Sequence, residues 1–144
     1  MKRKLYFAAP LFCESELKYN LYLRDKFLKF FDVFLPQEDN GLVFDALEAG
    51  ENLNSAFEST FNGDIAAIDG CDVLFILLDG RSVDEGACFE LGYAFANNKI
   101  CIGLQTDSRQ LMKHGNNPML VQALTHLFKS EKELIAWMSE NTPL

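Results

Sequence analysis

The sequence predicts a doubly wound α/β fold, a parallel sheet with helices on both faces. Segments with strand and helix patterning alternate along the whole chain, as right-handed βαβ crossovers do. The run Val73-Leu74-Phe75-Ile76-Leu77-Leu78 is continuously apolar, as a central strand covered on both faces must be. The 144 residues suffice for five strands and their crossovers in a single domain spanning 1–144.

Residues 4–9 form a short apolar run ended by Pro10, a first buried strand. Residues 14–30 carry Leu17, Leu21, Leu23, Phe27 and Phe30 near helical spacing. Residues 32–35 are a second strand, stopped by Pro36. Residues 37–50 are polar and contain Gly41 and Gly50, so they read as a loop with room for one helical turn at 44–47. Residues 53–68 are helical, with Asn52 or Asn54 as cap. A third strand covers 72–78 and a turn follows at 79–82. The helix at 84–97 begins with acids, which suits the positive end of its dipole. Residues 100–104 give a fourth strand, 106–117 an irregular stretch, 118–124 a short helix, 124–128 a fifth strand and 131–140 a last helix. Five strands in this length fit the flavodoxin-like order.

Composition narrows the function. Thirteen Lys and Arg stand against 21 Asp and Glu, a net charge of −8. A nucleic-acid backbone or an anionic membrane surface calls for a basic face instead. No apolar run approaches the roughly 18–20 residues of a membrane span. The opening Met-Lys-Arg-Lys-Leu-Tyr-Phe-Ala-Ala-Pro has a faint signal-peptide look. Pro10, Cys13 and Glu14 interrupt it, so a buried strand is the better reading. Cys13, Cys71, Cys88 and Cys101 form no C-x-x-C pair, and the only histidines are His114 and His126. That argues against a zinc site and for small reduced core residues, hence a cytoplasmic compartment.

Open α/β sheets bind ligands beyond the carboxyl ends of their strands. Those ends fall at 8–12, 36–40, 79–84 and 105 onward. None carries a G-x-G-x-x-G or a P-loop. The third is rich in acids. In the helix that follows, Asp84-Glu85-Gly86-Ala87-Cys88-Phe89-Glu90-Leu91-Gly92-Tyr93-Ala94-Phe95-Ala96, Glu90 is the only charge beyond the first turn. A helical side chain leans back over the preceding turn. For Glu90 that turn holds Gly86 and Ala87, so its carboxylate would sit in an open notch, which the helix dipole would help keep ionised. A lone carboxylate among apolar residues is costly unless used or paired. The plainer alternative is a surface Glu paired with a cation. Plain alternatives also stand beside the other candidates: helix caps for Asp84 and Glu85, a solvated face for Asp64, a core tyrosine for Tyr6.

The segment Tyr6-Phe7-Ala8-Ala9-Pro10-Leu11-Phe12, then Asp64-Ile65, then Asp84-x5-Glu90-Leu91-Gly92-Tyr93-Ala94 resembles the nucleoside 2-deoxyribosyltransferase family, in the family's motif order. The resemblance implies that Glu90 is a nucleophile. It would attack the anomeric carbon of a 2′-deoxynucleoside and hold the sugar as an ester until a second base takes it with retained configuration. The chemistry is like that of a retaining glycosidase. Tyr6 would orient Glu90, and Asp84 would contact the base and protonate the leaving ring nitrogen. Asp64 would be a further acid on the base side, Gln37 would touch the base, and Gly86 would line the substrate notch. Asn117, in Asn116-Asn117-Pro118-Met119, resembles an Asn that binds sugar hydroxyls in a neighbouring subunit's site. The resemblance thus implies a homo-oligomer, dimer-based and up to a hexamer, with shared sites. It implies 2′-deoxynucleosides and free nucleobases as substrates, and no metal or cofactor. The chain ends Asn141-Thr142-Pro143-Leu144, without the aromatic tail by which some members close a neighbour's site.

Three other functions compete. A deoxynucleoside 5′-monophosphate N-glycosidase needs phosphate ligands, for which Arg81 and Ser82 are the only nearby candidates. A non-catalytic nucleoside-sensing domain would leave Tyr6, Asp84 and Glu90 unexplained. A phosphoacceptor receiver domain would use Asp79, but it also needs paired acids after the first strand, where this chain has Ala8-Ala9-Pro10.

Overall fold

The computed structural model describes residues 1–109, 111–113 and 115–141. His114 and the last residues, 142–144, on which expectations were placed, lie outside the described residues. The strands are β1 (Lys4–Ala8), β2 (Asp32–Phe34), β3 (Val73–Leu77), β4 (Ile100–Leu104) and β5 (His126–Phe128). The helices are α1 (Glu14–Phe27), α2 (Pro36–Asp39), α3 (Val43–Glu48), α4 (Leu53–Gly70), α5 (Glu85–Ala96), α6 (Pro118–Ala123) and α7 (Glu131–Asn141). The strands form one all-parallel sheet in the order β2-β1-β3-β4-β5. This is the flavodoxin-like order that the alternation of elements predicts.

Alternation along each strand sorts side chains to the two faces. Leu5, Phe7, Val73, Phe75, Leu77, Ile102 and Leu104 face α1 and α7, meeting Leu23, Phe27, Leu134 and Met138. Phe7, Phe27 and Phe75 form a ring cluster with centroids 4.7–5.6 Å apart. Tyr6, Ala8, Leu74, Ile76, Leu78 and Cys101 face the other way, toward Ile68 of α4 and Ala87, Leu91 and Ala94 of α5. Gly103 lets α6 approach, since a Cβ there would lie 2.8 Å from Leu78 Cδ1 and 2.9 Å from Leu124 Cδ1.

Asp79 ties the loops after β3 and β4 together. Its carboxylate accepts from the backbone N–H groups of Thr106 (2.7 Å) and Asp107 (2.9 Å) and from the Thr106 hydroxyl. Asp107 in turn accepts from the Gly80 N–H at 3.1 Å. The one acid suited to a receiver domain is thus committed to loop structure.

Several expectations are corrected. Residues 37–50 hold two short helices, α2 and α3, where a loop with one turn was expected. Pro36 opens α2, where its missing N–H is no loss, and Asp39 Oδ2 reaches back to the Leu35 N–H at 2.7 Å. The loop reading rested on Gly41 and Gly50, and both do adopt positive φ (79° and 90°) at the ends of α3. The first helix stops at Phe27, three residues early, and a turn turns Phe31 into the core. Cys13 is exposed, unlike buried Cys71 and Cys101. It stands at the start of α1, where the Glu16 carboxylate accepts from the N–H groups of Phe12 (2.8 Å) and Cys13 (3.2 Å). Asp84 caps its helix from outside, accepting from the Ala87 N–H at 2.9 Å.

Candidate active site

The site is built where one polar side chain breaks an otherwise apolar sheet face. Tyr6, in mid-β1, is fully buried, with its ring stacked on Phe34 at 5.6 Å. Its hydroxyl donates to Glu90 Oε1 at 2.8 Å. Glu90 lies on the second turn of α5, one turn beyond Gly86. Glu90 and Gly86 line one cavity of about 440 Å³ with Asp64 of α4. The remaining wall is largely aromatic, including Phe57, Phe61 and Phe89. Each of these phenylalanines is half exposed, and Phe61 and Phe89 touch across the mouth with centroids 6.0 Å apart.

Asp64 is held from α2. The Asn40 amide donates to Asp64 Oδ1 at 3.0 Å and to the Thr60 carbonyl at 2.9 Å. Gly63 makes this possible, because a Cβ there would stand 2.4 Å from Asn40 Oδ1. Asn40 and the aromatic wall escaped the sequence reading. A glycine inside a helix weakens it by up to about 1 kcal/mol relative to alanine, so Gly63 beside Asp64 was the available signal.

Glu90, Asp64 and Tyr6 all depart from their ordinary ionisation. Burial pushes the Glu90 carboxyl up to about 8. The Tyr6 hydrogen bond opposes that rise, and the charges of Asp64 and Asp84 add to it. Asp64 is also raised, chiefly by burial and against the bond from Asn40. Tyr6 is held far above its ordinary value, first by burial and then by the neighbouring Glu90 and Asp64 charges. It therefore stays a hydroxyl donor at any working pH. The helix dipole, expected to help ionise Glu90, is not the largest influence on it. Desolvation outweighs a dipole contribution of typically 0.3–1 kcal/mol.

Tyr6, Asp64, Gly86 and Glu90 are thus brought together, with Asp84 near enough to act on Glu90 through its charge. Two expected residues lie elsewhere. The Gln37 side chain turns to α1, where its Oε1 accepts from Asn20 Nδ2 at 3.0 Å and its amide donates to the Leu17 carbonyl at 3.1 Å. Asn117 caps α6 through the Met119 N–H at 2.9 Å. It lines a separate cavity of about 190 Å³ with Asn116, Arg81 and Ser82. Among the described residues no group of three His, Cys, Asp or Glu is placed to hold a metal ion, and no helix is long and apolar enough to cross a membrane.

The sheet order and this tyrosine–carboxylate cavity define a flavodoxin-like α/β protein with a half-buried acid at an opening. The chain belongs to the nucleoside 2-deoxyribosyltransferase family, whose model matches residues 5–141. Among solved structures, a conserved protein from Enterococcus faecalis is 28% identical with a TM-score of 0.77, over 97% of this chain and 99% of that one. A 2-deoxyribosyltransferase from Bacillus psychrosaccharolyticus is 22% identical with a TM-score of 0.74, over 94% and 95% of the two chains. The corresponding enzyme from Leishmania mexicana is 23% identical with a TM-score of 0.69, over 96% and 98%. At these identities the last two show the shared fold. No curated protein sequence matches the chain significantly.

Proposed function

We propose that the protein exchanges the base of 2′-deoxynucleosides through a deoxyribosyl ester on Glu90. The observation that carries this reading is the 2.8 Å bond from Tyr6 to Glu90 at a cavity shared with Asp64 and Gly86. The Glu90 carboxylate attacks C1′ from the face opposite the base. The C1′–N bond breaks, and its electron pair leaves with the base. A second base then attacks C1′, releases Glu90 and restores the original configuration. The absent 2′-hydroxyl favours this route, because it no longer withdraws electrons from the oxocarbenium-like centre. Tyr6 holds one carboxylate oxygen, so the nucleophile is oriented before substrate arrives.

The leaving ring nitrogen needs a proton. Asp64 lines the cavity and has a raised pKa, which supports it as donor. Asp84, which the resemblance casts in that role, caps α5 and stands beside the reacting carboxylate. Aromatic walls exclude water from the ester, so transfer can outrun hydrolysis. Asn117 does not line the Glu90 cavity of its own chain, which supports the reading that it reaches a neighbour's site in a homo-oligomer. Its loss should then weaken sugar binding, and sedimentation velocity reads the assembly directly. The four free cysteines fit a reducing, cytoplasmic setting.

The test is an exchange assay with deoxyinosine and adenine. Deoxyadenosine together with hypoxanthine supports the proposal. Hypoxanthine and free deoxyribose without exchange indicate a hydrolase. Faster cleavage of dAMP than of deoxyadenosine indicates a monophosphate N-glycosidase. Binding of deoxyinosine without turnover indicates a sensing domain.

A further inference from the structure

Besides Tyr6, two polar side chains are buried among the described residues, Asn20 and Gln105. Gln105 directly follows the apolar strand β4 and is 4% exposed. A buried amide is costly unless its hydrogen bonds are met, and here all of them are. Its Oε1 accepts from Asn116 Nδ2 and from Lys129 Nζ, both at 2.7 Å. Its Nε2 donates to Asn116 Oδ1 at 3.2 Å and to the Arg109 carbonyl at 3.3 Å. Its backbone N–H donates to the Phe128 carbonyl at 2.9 Å. One side chain thus joins the end of β4, the residue after β5 and the approach to α6.

Asn116 is the pivot of this network. Its amide and that of Gln105 each donate to the other's oxygen, and a fully met buried network of this kind fixes one conformation. The next residue, Asn117, lines the same cavity as Gln105 and is held three ways. Asn116 anchors it from the N-terminal side. Pro118 bars it from the helical region, and it is extended, with φ −54° and ψ 125°. Its own Oδ1 accepts from the Met119 N–H at 2.9 Å. Its Nδ2 donates to no group among the described residues. Asn117 therefore carries a donor that is set in place and unspent. A donor already in place binds a partner at less entropic cost than a free one.

We propose that Gln105 is a positioning residue: through Asn116 it holds the Asn117 amide in the orientation that donates to a sugar hydroxyl oxygen. The proposal rests on the reading above that Asn117 binds the sugar in a neighbour's site. Gln105 itself touches no substrate, so its loss should cost sugar binding and spare the chemistry at Glu90. The experiment is steady-state exchange from deoxyinosine to adenine by the assembled protein. Asn117→Ala should lower kcat/KM for deoxyinosine about ten-fold, the worth of one hydrogen bond, with kcat held within about two-fold. Asn116→Ala cuts the link at a half-buried position and leaves Gln105 bonded to Lys129. It should lower kcat/KM about five-fold with the same sparing of kcat, and so should Gln105→Leu. Added to Asn117→Ala, neither change should lower kcat/KM further, because all three act on one contact. A full additional loss in the double variants, an equal fall in kcat, or wild-type kinetics in Asn116→Ala would overturn the positioning role and leave base exchange intact. So would a loss that tracks dissociation in sedimentation velocity. Wild-type kinetics in Asn117→Ala would overturn the sugar-binding reading and the proposal with it. No exchange by the wild-type protein would overturn the base-exchange reading as well.

Discussion

Phe7 and Tyr6 are consecutive residues of one strand, and both are fully buried. Phe7 enters a closed, predominantly apolar face, packed on Phe27 and Phe75 and covered by α1 and α7. Tyr6 enters a face that is equally apolar except at its own hydroxyl, which meets Glu90 and the space under α4 and α5. The difference is one oxygen atom on the strand and the gap left by Gly86 on the helix above. A closed core face tolerates no polar group without a partner. An open one can hold a carboxylate short of water and therefore raised in pKa. The same sheet thus presents a closed apolar face on one side and a carboxylate at an opening on the other.

Substitutions that break this division should separate stability from activity. Glu90→Gln should reduce base exchange by at least about 10³-fold, measured by chromatography of the new nucleoside, with the circular dichroism spectrum unchanged. Phe75→Ala, on the closed face, should do the reverse. It should lower unfolding free energy by about 3–5 kcal/mol in urea titrations, with the rate per folded molecule preserved.

The raised carboxyl sets the sign of the pH effect. A carboxyl whose pKa is higher folded than unfolded stabilises the fold fully below its unfolded value and loses that contribution as pH rises toward the folded one. Glu90, moving from 4.5 to about 8, should make the wild-type protein less stable across that window, by on the order of 5 kcal/mol. Asp64, also raised, adds to the slope. Urea midpoints across the range should therefore fall for wild type and fall much less for Glu90→Gln. Because Glu90 must be ionised and Asp64 protonated, kcat/KM should pass through a maximum with pH, with one limb set near 8 by Glu90.

Asp64→Asn should cost about 10²-fold in kcat with a base that leaves poorly, and less with one that leaves well. Rates with a series of leaving bases would show this. Tyr6→Phe should be the mildest, about ten-fold. Its hydroxyl lowers the Glu90 pKa, so its loss should move the limb of the pH profile set by Glu90 to higher pH. An unmoved limb would mean that the bond does not orient the nucleophile.

The strands and the lone acid were legible in the sequence for the same reason. Both are departures from background: continuous apolarity in β3, and a single charge on the apolar helix α5. Periodicity could not place Asn40, because α2 is a four-residue helix held by Pro36 and Asp39 rather than by an amphipathic stripe. The same short helix turns Gln37 toward Asn20 and Leu17 and away from the cavity. The dipole's help to Glu90 was legible because it can be read from position in a helix. Burial depends on Tyr6 and Asp64, distant in sequence.

The central claim is that Glu90 carries the sugar between two bases. Mixing the protein with deoxyinosine, quenching without acceptor and weighing it by mass spectrometry tests this most directly. One added deoxyribosyl group mapping to the peptide that contains Glu90, and discharged by adenine to give deoxyadenosine, is the predicted result. Exchange that proceeds at full rate in Glu90→Gln, or an adduct on any other residue, would contradict it.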